Sequence, residues 1–222
     1  MSALRSEGVI LFNAQHENRP LEERIHGQTA RTLSAWRQIL AHLRLLGQDP
    51  GRYEGLGYGN VSARIGPFGD IGRGRRRFLV TGTQTAGVAH ATLCEFCLVE
   101  SWDIGQNRVT SAGPVGPSSE SLTHAALYDA SPAIRVVLHV HAPDIWRQAR
   151  ALGLPTTHER AANGTPAMAV EVQRIFREGT FASTCVAAMG GHVDGVIAFG
   201  RNAAEAGLAL VAQHARALSL EG

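Results

Sequence analysis

Lysine is absent from this chain of 222 residues, so every permanently cationic side chain is an arginine. A Schiff base needs an amine that can lose its proton, and an arginine guanidinium keeps its charge in proteins. Covalent catalysis by lysine and pyridoxal phosphate chemistry are therefore excluded. A carbonyl substrate would have to be activated by a metal ion or by hydrogen bonds.

Long hydrophobic runs are also missing. No stretch approaches the ~20 apolar residues that a membrane-spanning helix needs, and the short apolar stretch at residues 9–12 lies among polar residues, unlike a secretory signal. The net charge of +2 and the hydrophobic content of 44% are ordinary for a globular chain. We expect a cytoplasmic protein without a membrane partner, with an N-terminal extension over residues 1–26 and a single domain over residues 27–222.

Cysteine is scarce. The three cysteines, Cys94, Cys97 and Cys185, form no even disulfide framework, and a single C-x-x-C pair is more typical of buried thiols than of a metal site. A basic run at residues 73–77 is compatible with nucleic-acid contact, but five residues before a strand are more typical of a solvated hairpin loop. We therefore expect no nucleic-acid partner.

Two histidines at the end of an apolar run carry the strongest chemical indication. His139 and His141 follow the run 134–138, and residues two apart on a β-strand point to the same face. Neutral imidazoles bind zinc and other divalent first-row metals. A metal site is the leading interpretation, and two solvent-facing histidines around a core valine are the alternative.

A loop rich in glycine and proline precedes this strand and leads into a predicted helix at residues 120–131. Glu120 stands at the start of that helix, where Ser118 or Ser119 can cap the first turn. Backbone N–H groups at a helix start favour an anion, so a phosphate or carboxylate could lie beside Glu120. A plain capping motif with a solvated glutamate is the alternative.

Short strands and helices are predicted along the rest of the chain. Apolar residues recur at helical spacing from Gln28 to Leu46, and an alanine-rich helix begins at Ala203. Further strands are predicted near 58–65, 77–81, 96–102 and 108–110, and two more strands are predicted within 184–199. Further helices are predicted near 143–152 and 166–178. Strands mixed with flanking helices predict an α/β sandwich.

Several motifs in one order resemble the class II aldolase/adducin family. They are Gly59-Asn60-Val61-Ser62, Thr81-Gly82-Thr83, Pro117-Ser118-Ser119-Glu120, the pair His124 and Tyr128, and His139-Val140-His141. The similarity spans roughly residues 27 to 217. That family includes fuculose-phosphate and rhamnulose-phosphate aldolases, ribulose-phosphate 4-epimerases, dehydratases and decarboxylases.

The resemblance implies a three-layer α/β/α sandwich with a largely antiparallel central sheet. It also implies a third imidazole near the C-terminal strands. His192 is the candidate, although Val193 and Asp194 separate it from the glycine that usually follows directly. The residues that would hold the anionic end of a substrate are Asn60, Thr81, Gly82, Ser118 and Ser119.

The activity implied by the resemblance is that of a metal-dependent carbon–carbon lyase. His139, His141 and His192 would hold a divalent ion. Zinc is the expected metal, and manganese, cobalt and nickel are alternatives. Glu120 would move the proton. The substrate would be a small hydroxy-carbonyl compound, with or without a phosphate group, cleaved through a metal-stabilised enediolate. The alternatives are a dehydratase or decarboxylase on the same site and a non-catalytic, adducin-like binding module. Epimerases of the family typically use a lysine, which this chain lacks.

The resemblance further implies a homo-oligomer, a cyclic tetramer whose active sites are shared between subunits. Family aldolases often use a tyrosine late in the chain for the second proton, whereas no tyrosine follows Tyr128 here. Residues 154–165 and the C-terminal helix ending at Leu218 are the candidates for completing a neighbouring site.

Overall fold

The computed structural model describes residues 9–69 and 71–220. Its strands are β1 (Asn13–Asn18), β2 (Gly47–Gln48), β3 (Gly57–Tyr58), β4 (Asn60–Arg64), β5 (Phe78–Thr81), β6 (Phe96–Asp103), β7 (Arg108–Gly113), β8 (Val136–His141), β9 (Val186–Ala188) and β10 (Gly195–Gly200). Its α-helices are α1 (Glu23–His42), α2 (Ser121–Ala130), α3 (Pro143–Arg147), α4 (Pro166–Arg177), α5 (Thr180–Thr184) and α6 (Ala203–Ser219). Single 3-10 turns span Tyr53–Gly55 and Leu93–Glu95. In the part of the chain described, no helix combines the length and apolarity needed to cross a membrane.

Eight strands form one central sheet in the order β1-β7-β6-β5-β4-β8-β10-β9. The pair β1 and β7 is parallel, and the other neighbouring pairs are antiparallel. The strands β2 and β3 form a separate small ribbon. The strand with the two histidines, β8, therefore lies inside the sheet between β4 and β10, and both of its edges are hydrogen-bonded.

Helices cover both faces of this sheet, and β8 shows why. Alternate residues of a strand face opposite sides, and Val136, Leu138 and Val140 pack in one apolar cluster while Val137 packs in the other. Leu33 of α1 and Leu210 of α6 belong to the first cluster. The second cluster contains residues of α2 and α4, among them Leu122 and Val172. The predicted three-layer architecture with a mostly antiparallel sheet is confirmed.

Two differences from the sequence prediction concern the first elements. The first helix spans Glu23–His42 rather than 28–46, because Arg44 adopts a left-handed conformation at φ 58° and turns the chain. The strand β1 has no predicted counterpart. Its side chains are mostly exposed, so it joins the sheet through backbone pairing with β7 and carries no apolar alternation.

The prediction that Ser118 or Ser119 caps α2 was wrong. Glu120 occupies the N-cap position, and its side chain makes no capping hydrogen bond. The carbonyl of Ser118 instead accepts from the N–H of Ser121 at 3.0 Å in a turn that precedes the helix. The carboxylate of Glu120 therefore does not serve to cap the helix.

Candidate metal centre

Three buried imidazoles meet at the end of the central sheet. His139 and His141 come from β8, and His192 comes from the turn between β9 and β10. One possible ligand atom from each ring lies within 4.8 Å of the other two, which makes this a candidate metal cluster among the described residues. The three side chains are at most 5% exposed.

Sheet register brings His192 to the other two histidines. In the antiparallel pair of β8 and β10, Gly195 lies opposite His141 and Ile197 opposite His139. The turn before β10 is closed by hydrogen bonds from His192 N–H to the Met189 carbonyl at 3.0 Å and from Gly195 N–H to the His192 carbonyl at 2.9 Å. The ring of His192 therefore lies over the end of β8, 4.9 Å from His139 and 4.7 Å from His141 between centroids.

The protonation of these rings suits metal binding. Nδ1 of His139 lies 3.2 Å from the Val196 carbonyl oxygen, so this nitrogen is the N–H donor and Nε2 keeps its lone pair. Burial holds the pKa of His139 and of His141 well below the usual histidine value, and the neighbouring His192 acts in the same direction. Both rings are therefore neutral near pH 7. Three imidazoles in this arrangement fit a divalent ion such as zinc and leave a coordination position for substrate.

A carboxylate borders the histidine cluster. Glu120 is 1% exposed, and its Oε1 lies 3.9 Å from Nδ1 of His192. The hydroxyl of Thr123, one turn later on α2, donates to Oε2 at 2.7 Å. The start of α2 and the Thr123 hydrogen bond thus fix a buried carboxylate beside the imidazoles.

The cavity at this site is small, about 30 Å³. Glu120, His139 and His192 line it. Four of the five predicted substrate-binding residues line it as well, namely Asn60, Gly82, Ser118 and Ser119. Thr81 lies beside it in β5, where its hydroxyl accepts from the Val61 N–H at 3.1 Å. Such a volume holds an ion or a water molecule, so most of a larger substrate would lie over the open rim.

Sequence reasoning missed the next stretch of the wall. Gln84, Thr85 and Ala86 line the cavity together with Thr83. They follow the Thr81-Gly82-Thr83 motif directly, so continuing along the chain from that motif was the available indication.

Behind the cluster lies a tyrosine that sequence reasoning also missed. The ring of Tyr53 meets His141 edge-on with centroids 4.6 Å apart. Its hydroxyl donates to Oδ2 of Asp194 at 2.7 Å and accepts from Arg52 at 2.8 Å. Tyr53 and Asp194 have φ angles of 50° and 63°, a left-handed conformation that non-glycine residues rarely adopt. No local pattern marks Tyr53, because its partners are distant in the sequence.

His124 belongs to a polar network next to the site. Its Nδ1 lies 2.7 Å from the Ser62 hydroxyl, which also lies 2.7 Å from the Tyr128 hydroxyl. Burial lowers the pKa of His124 to about 3, so the ring is neutral. This arrangement is that of a helix histidine packed in the protein interior.

The segment 154–165 contacts the site of its own chain at one end. Gly164, at φ 67°, approaches so closely that an added Cβ would lie 3.1 Å from the Ser119 carbonyl oxygen. His158, Glu159 and Arg160, which belong to this segment, are exposed. They are outside the residues that line the cavity.

The comparisons with known proteins agree with this fold. The family described as "Class II Aldolase and Adducin N-terminal domain" matches residues 37–217. A search of curated proteins found no significant match. Solved structures of similar fold include a sugar-phosphate aldolase from Thermotoga maritima, with 16% identity, a TM-score of 0.66 and coverage of 87% of this chain and 93% of the other.

Two further structures give the same result. The L-fuculose-1-phosphate aldolase from Thermus thermophilus is 19% identical, with a TM-score of 0.62 and coverage of 86% of this chain and 91% of the other. An N-terminal class II aldolase domain from Thermoplasma acidophilum is 16% identical, with a TM-score of 0.60 and coverage of 87% and 93%. At these identities the structures establish the fold, while the match over residues 37–217 establishes the family. This chain belongs to the class II aldolase and adducin family.

Proposed function

We propose that this protein is a metal-dependent carbon–carbon lyase that cleaves a small hydroxy-carbonyl compound by a retro-aldol reaction. The observation that carries the proposal is the buried cluster of His139, His141 and His192 with the Glu120 carboxylate beside it. A non-catalytic scaffold has no need of three imidazoles converging on one point with a carboxylate at their edge. The family and its aldolase neighbours support the same reaction class.

Each group has a role in this reaction. A divalent ion on the three imidazoles would polarise the substrate carbonyl and stabilise the negative charge that develops on its oxygen. Glu120 moves the proton at the carbon next to the carbonyl. In cleavage the substrate hydroxyl loses its proton to solvent, the carbon–carbon bond breaks, and Glu120 in its protonated form gives a proton to that carbon. In bond formation the Glu120 carboxylate removes that proton. The Thr123 hydroxyl, which donates to Oε2, keeps the carboxylate in place for this transfer.

The anionic end of the substrate lies, in this proposal, against Asn60, Gly82, Ser118 and Ser119, with Thr81 supporting the adjoining strand. These residues offer amide, hydroxyl and backbone N–H donors, and no arginine is among the described residues that line the cavity. We propose zinc as the ion, because a site of three imidazoles suits it. Manganese, cobalt and nickel are the alternatives to be tested by metal replacement.

We also propose a homotetramer in which a neighbouring subunit covers the rim of the site. The support is the size of the cavity, about 30 Å³, which leaves most of a substrate outside the chain's own walls. Excluding water from a charged intermediate requires a cover. The C-terminal helix and the exposed part of the segment 154–165 are the surfaces proposed to supply it.

The test is a substrate panel with purified protein and added divalent ions. The panel contains phosphorylated and unphosphorylated hydroxy-carbonyl compounds, and the products are identified by mass. Two carbonyl fragments from one substrate support the proposal. Loss of carbon dioxide or of water would replace it with decarboxylation or dehydration on the same site, and no turnover of any substrate with bound metal would favour a binding module.

A further inference from the structure

A buried arginine lies behind one wall of the site. Arg37 of α1 is 3% exposed, and its guanidinium donates to the carbonyl oxygens of Thr85 at 2.7 Å, of Ala86 at 2.6 Å and of Val88. Burying a charge is costly unless polar groups compensate for the lost water. Here the compensation comes from three carbonyl dipoles of a single loop. The guanidinium of Arg37 therefore stabilises the conformation of that loop.

This loop borders two cavities. Residues 83–86 line the small cavity at the metal centre. Arg37 and residues 86–89 line a second, larger cleft of about 620 Å³. Ala86 borders both spaces, so the loop lies next to the candidate site and next to the cleft that Arg37 lines.

The contacts of Arg37 set the direction of the backbone N–H groups in this loop. In a trans peptide the C=O and the N–H point in opposite directions. Because the carbonyls of Thr85 and Ala86 face Arg37, the N–H groups of Ala86 and Gly87 point away from it, and Ala86 lines the cavity at the metal centre. Within the described residues neither N–H donates to a backbone acceptor. Gln84 adds a left-handed turn at φ 59°, and successive N–H groups around such turns form concave anion sites.

We propose that Arg37 is a positioning residue for anion recognition: it holds the loop 83–88 so that the N–H groups of Ala86 and Gly87 face the anionic end of the substrate. The inference rests on the proposed function, because the anion is one end of the proposed substrate. It accounts for anion binding by a cavity without a lysine or arginine in its described lining, since the positive charge acts from behind the peptide groups. No covalent step is involved.

Inorganic phosphate is the probe, titrated calorimetrically into the wild-type protein and into Arg37→Met, Arg37→Lys and Arg44→Met. Arg44 is the matched control, because it also borders the larger cleft but pairs with Asp49 instead of the loop. We expect Arg37→Met to bind phosphate at least about tenfold more weakly, as the loss of charge-assisted hydrogen bonds implies. Arg37→Lys should be intermediate, because an ammonium cannot reproduce the planar fork. Arg44→Met should stay within about twofold of wild type.

Hydrogen exchange of the wild-type protein supplies a second measurement that needs no variant. Phosphate should protect the amides of residues 84–87, and metal content should be equal in all variants. Equal phosphate affinity in Arg37→Met and wild type would overturn the inference. An equal loss in Arg44→Met, or no amide protection at 84–87, would do the same. A wild-type protein that does not bind phosphate would also overturn it while leaving the lyase proposal open, because that proposal is tested separately with unphosphorylated substrates.

Discussion

Glu120 is the residue on which proton transfer depends in this account. Its carboxylate lies 3.9 Å from His192 and accepts from Thr123. Glu120→Gln keeps the shape of the side chain but removes its basicity, so turnover should fall by about 10²–10⁴-fold. Bound metal and melting temperature should stay close to those of wild type. Glu178→Gln, an exposed glutamate after α4, is the control, and wild-type rates in Glu120→Gln would remove Glu120 from this role.

Removing the hydrogen bond between Tyr53 and Asp194 is a second test of a single residue's role in the metal centre. It joins the ring that packs on His141 to the turn that carries His192. Tyr53→Phe keeps the ring and removes this hydrogen bond, so the link between the surroundings of His141 and the turn that carries His192 is lost. We expect about tenfold weaker zinc binding, because groups that orient metal ligands typically contribute that much.

A competition titration with a chromophoric chelator measures this affinity. Tyr58→Phe is the matched control, since its hydroxyl accepts from Arg52, whereas the bond to Asp194 comes from Tyr53. Its zinc affinity should stay within about twofold of wild type, because groups that do not orient a ligand leave the metal centre unchanged. An unchanged zinc affinity in Tyr53→Phe would show that the hydrogen bond has no influence on the metal centre.

The sequence allowed some of these residues to be predicted and hid others for a physical reason. His139 and His141 were predictable because the two-residue period of a strand puts them on one face. The contacts of Tyr53 with Asp194 and of Arg37 with the loop 83–88 join residues far apart in the chain. A hydrogen bond between distant residues leaves no periodic pattern, so only the folded chain reveals it.

At the level of elements, the connection between β3 and β4 is set by Gly59. Its φ is 77°, and an added Cβ would lie 3.0 Å from the His139 carbonyl oxygen and 3.1 Å from Cβ of Leu46. Gly59→Ala should therefore destabilise the fold by about 1–2 kcal/mol from the left-handed conformation alone, with more from the close contacts. Urea unfolding measures the change in the free energy of unfolding.

Gly72→Ala is the control for this prediction, because an added Cβ there meets no atom within 4 Å. It should be neutral or slightly stabilising, as expected where the conformation suits alanine. Equal stability of Gly59→Ala and wild type would mean that the connection is not constrained as described.

Elements with an apolar face were predictable, and elements without one were not. The apolar run in β8 and the helical spacing in α1 indicated both elements, although the predicted end of α1, Leu46, lies beyond its observed end at His42. Leu45 and Leu46 continue the apolar pattern and are buried, but Arg44 has already turned the chain. The polar edge strand β1 pairs with β7 through backbone and polar side-chain hydrogen bonds, which a hydrophobic pattern cannot report.

For the whole molecule, the proposed tetramer with shared sites predicts complementation. Sedimentation at low micromolar concentration should give a mass of about four chains. Mixed oligomers of a His139→Ala subunit and an inactive variant of the segment 154–165 should regain part of the activity, because some sites then combine intact parts from two chains. A fully active monomer, or no recovery in oligomers shown to be mixed, would contradict the shared site.

Metal content tests the central claim most directly. Purified wild-type protein should hold about one divalent ion per chain by elemental analysis, because three buried imidazoles form one site. His139→Ala and His141→Ala should each lose that ion while His214→Ala, a histidine of α6 outside the cluster, keeps it. Full metal occupancy in a variant that lacks both His139 and His141 would contradict the account.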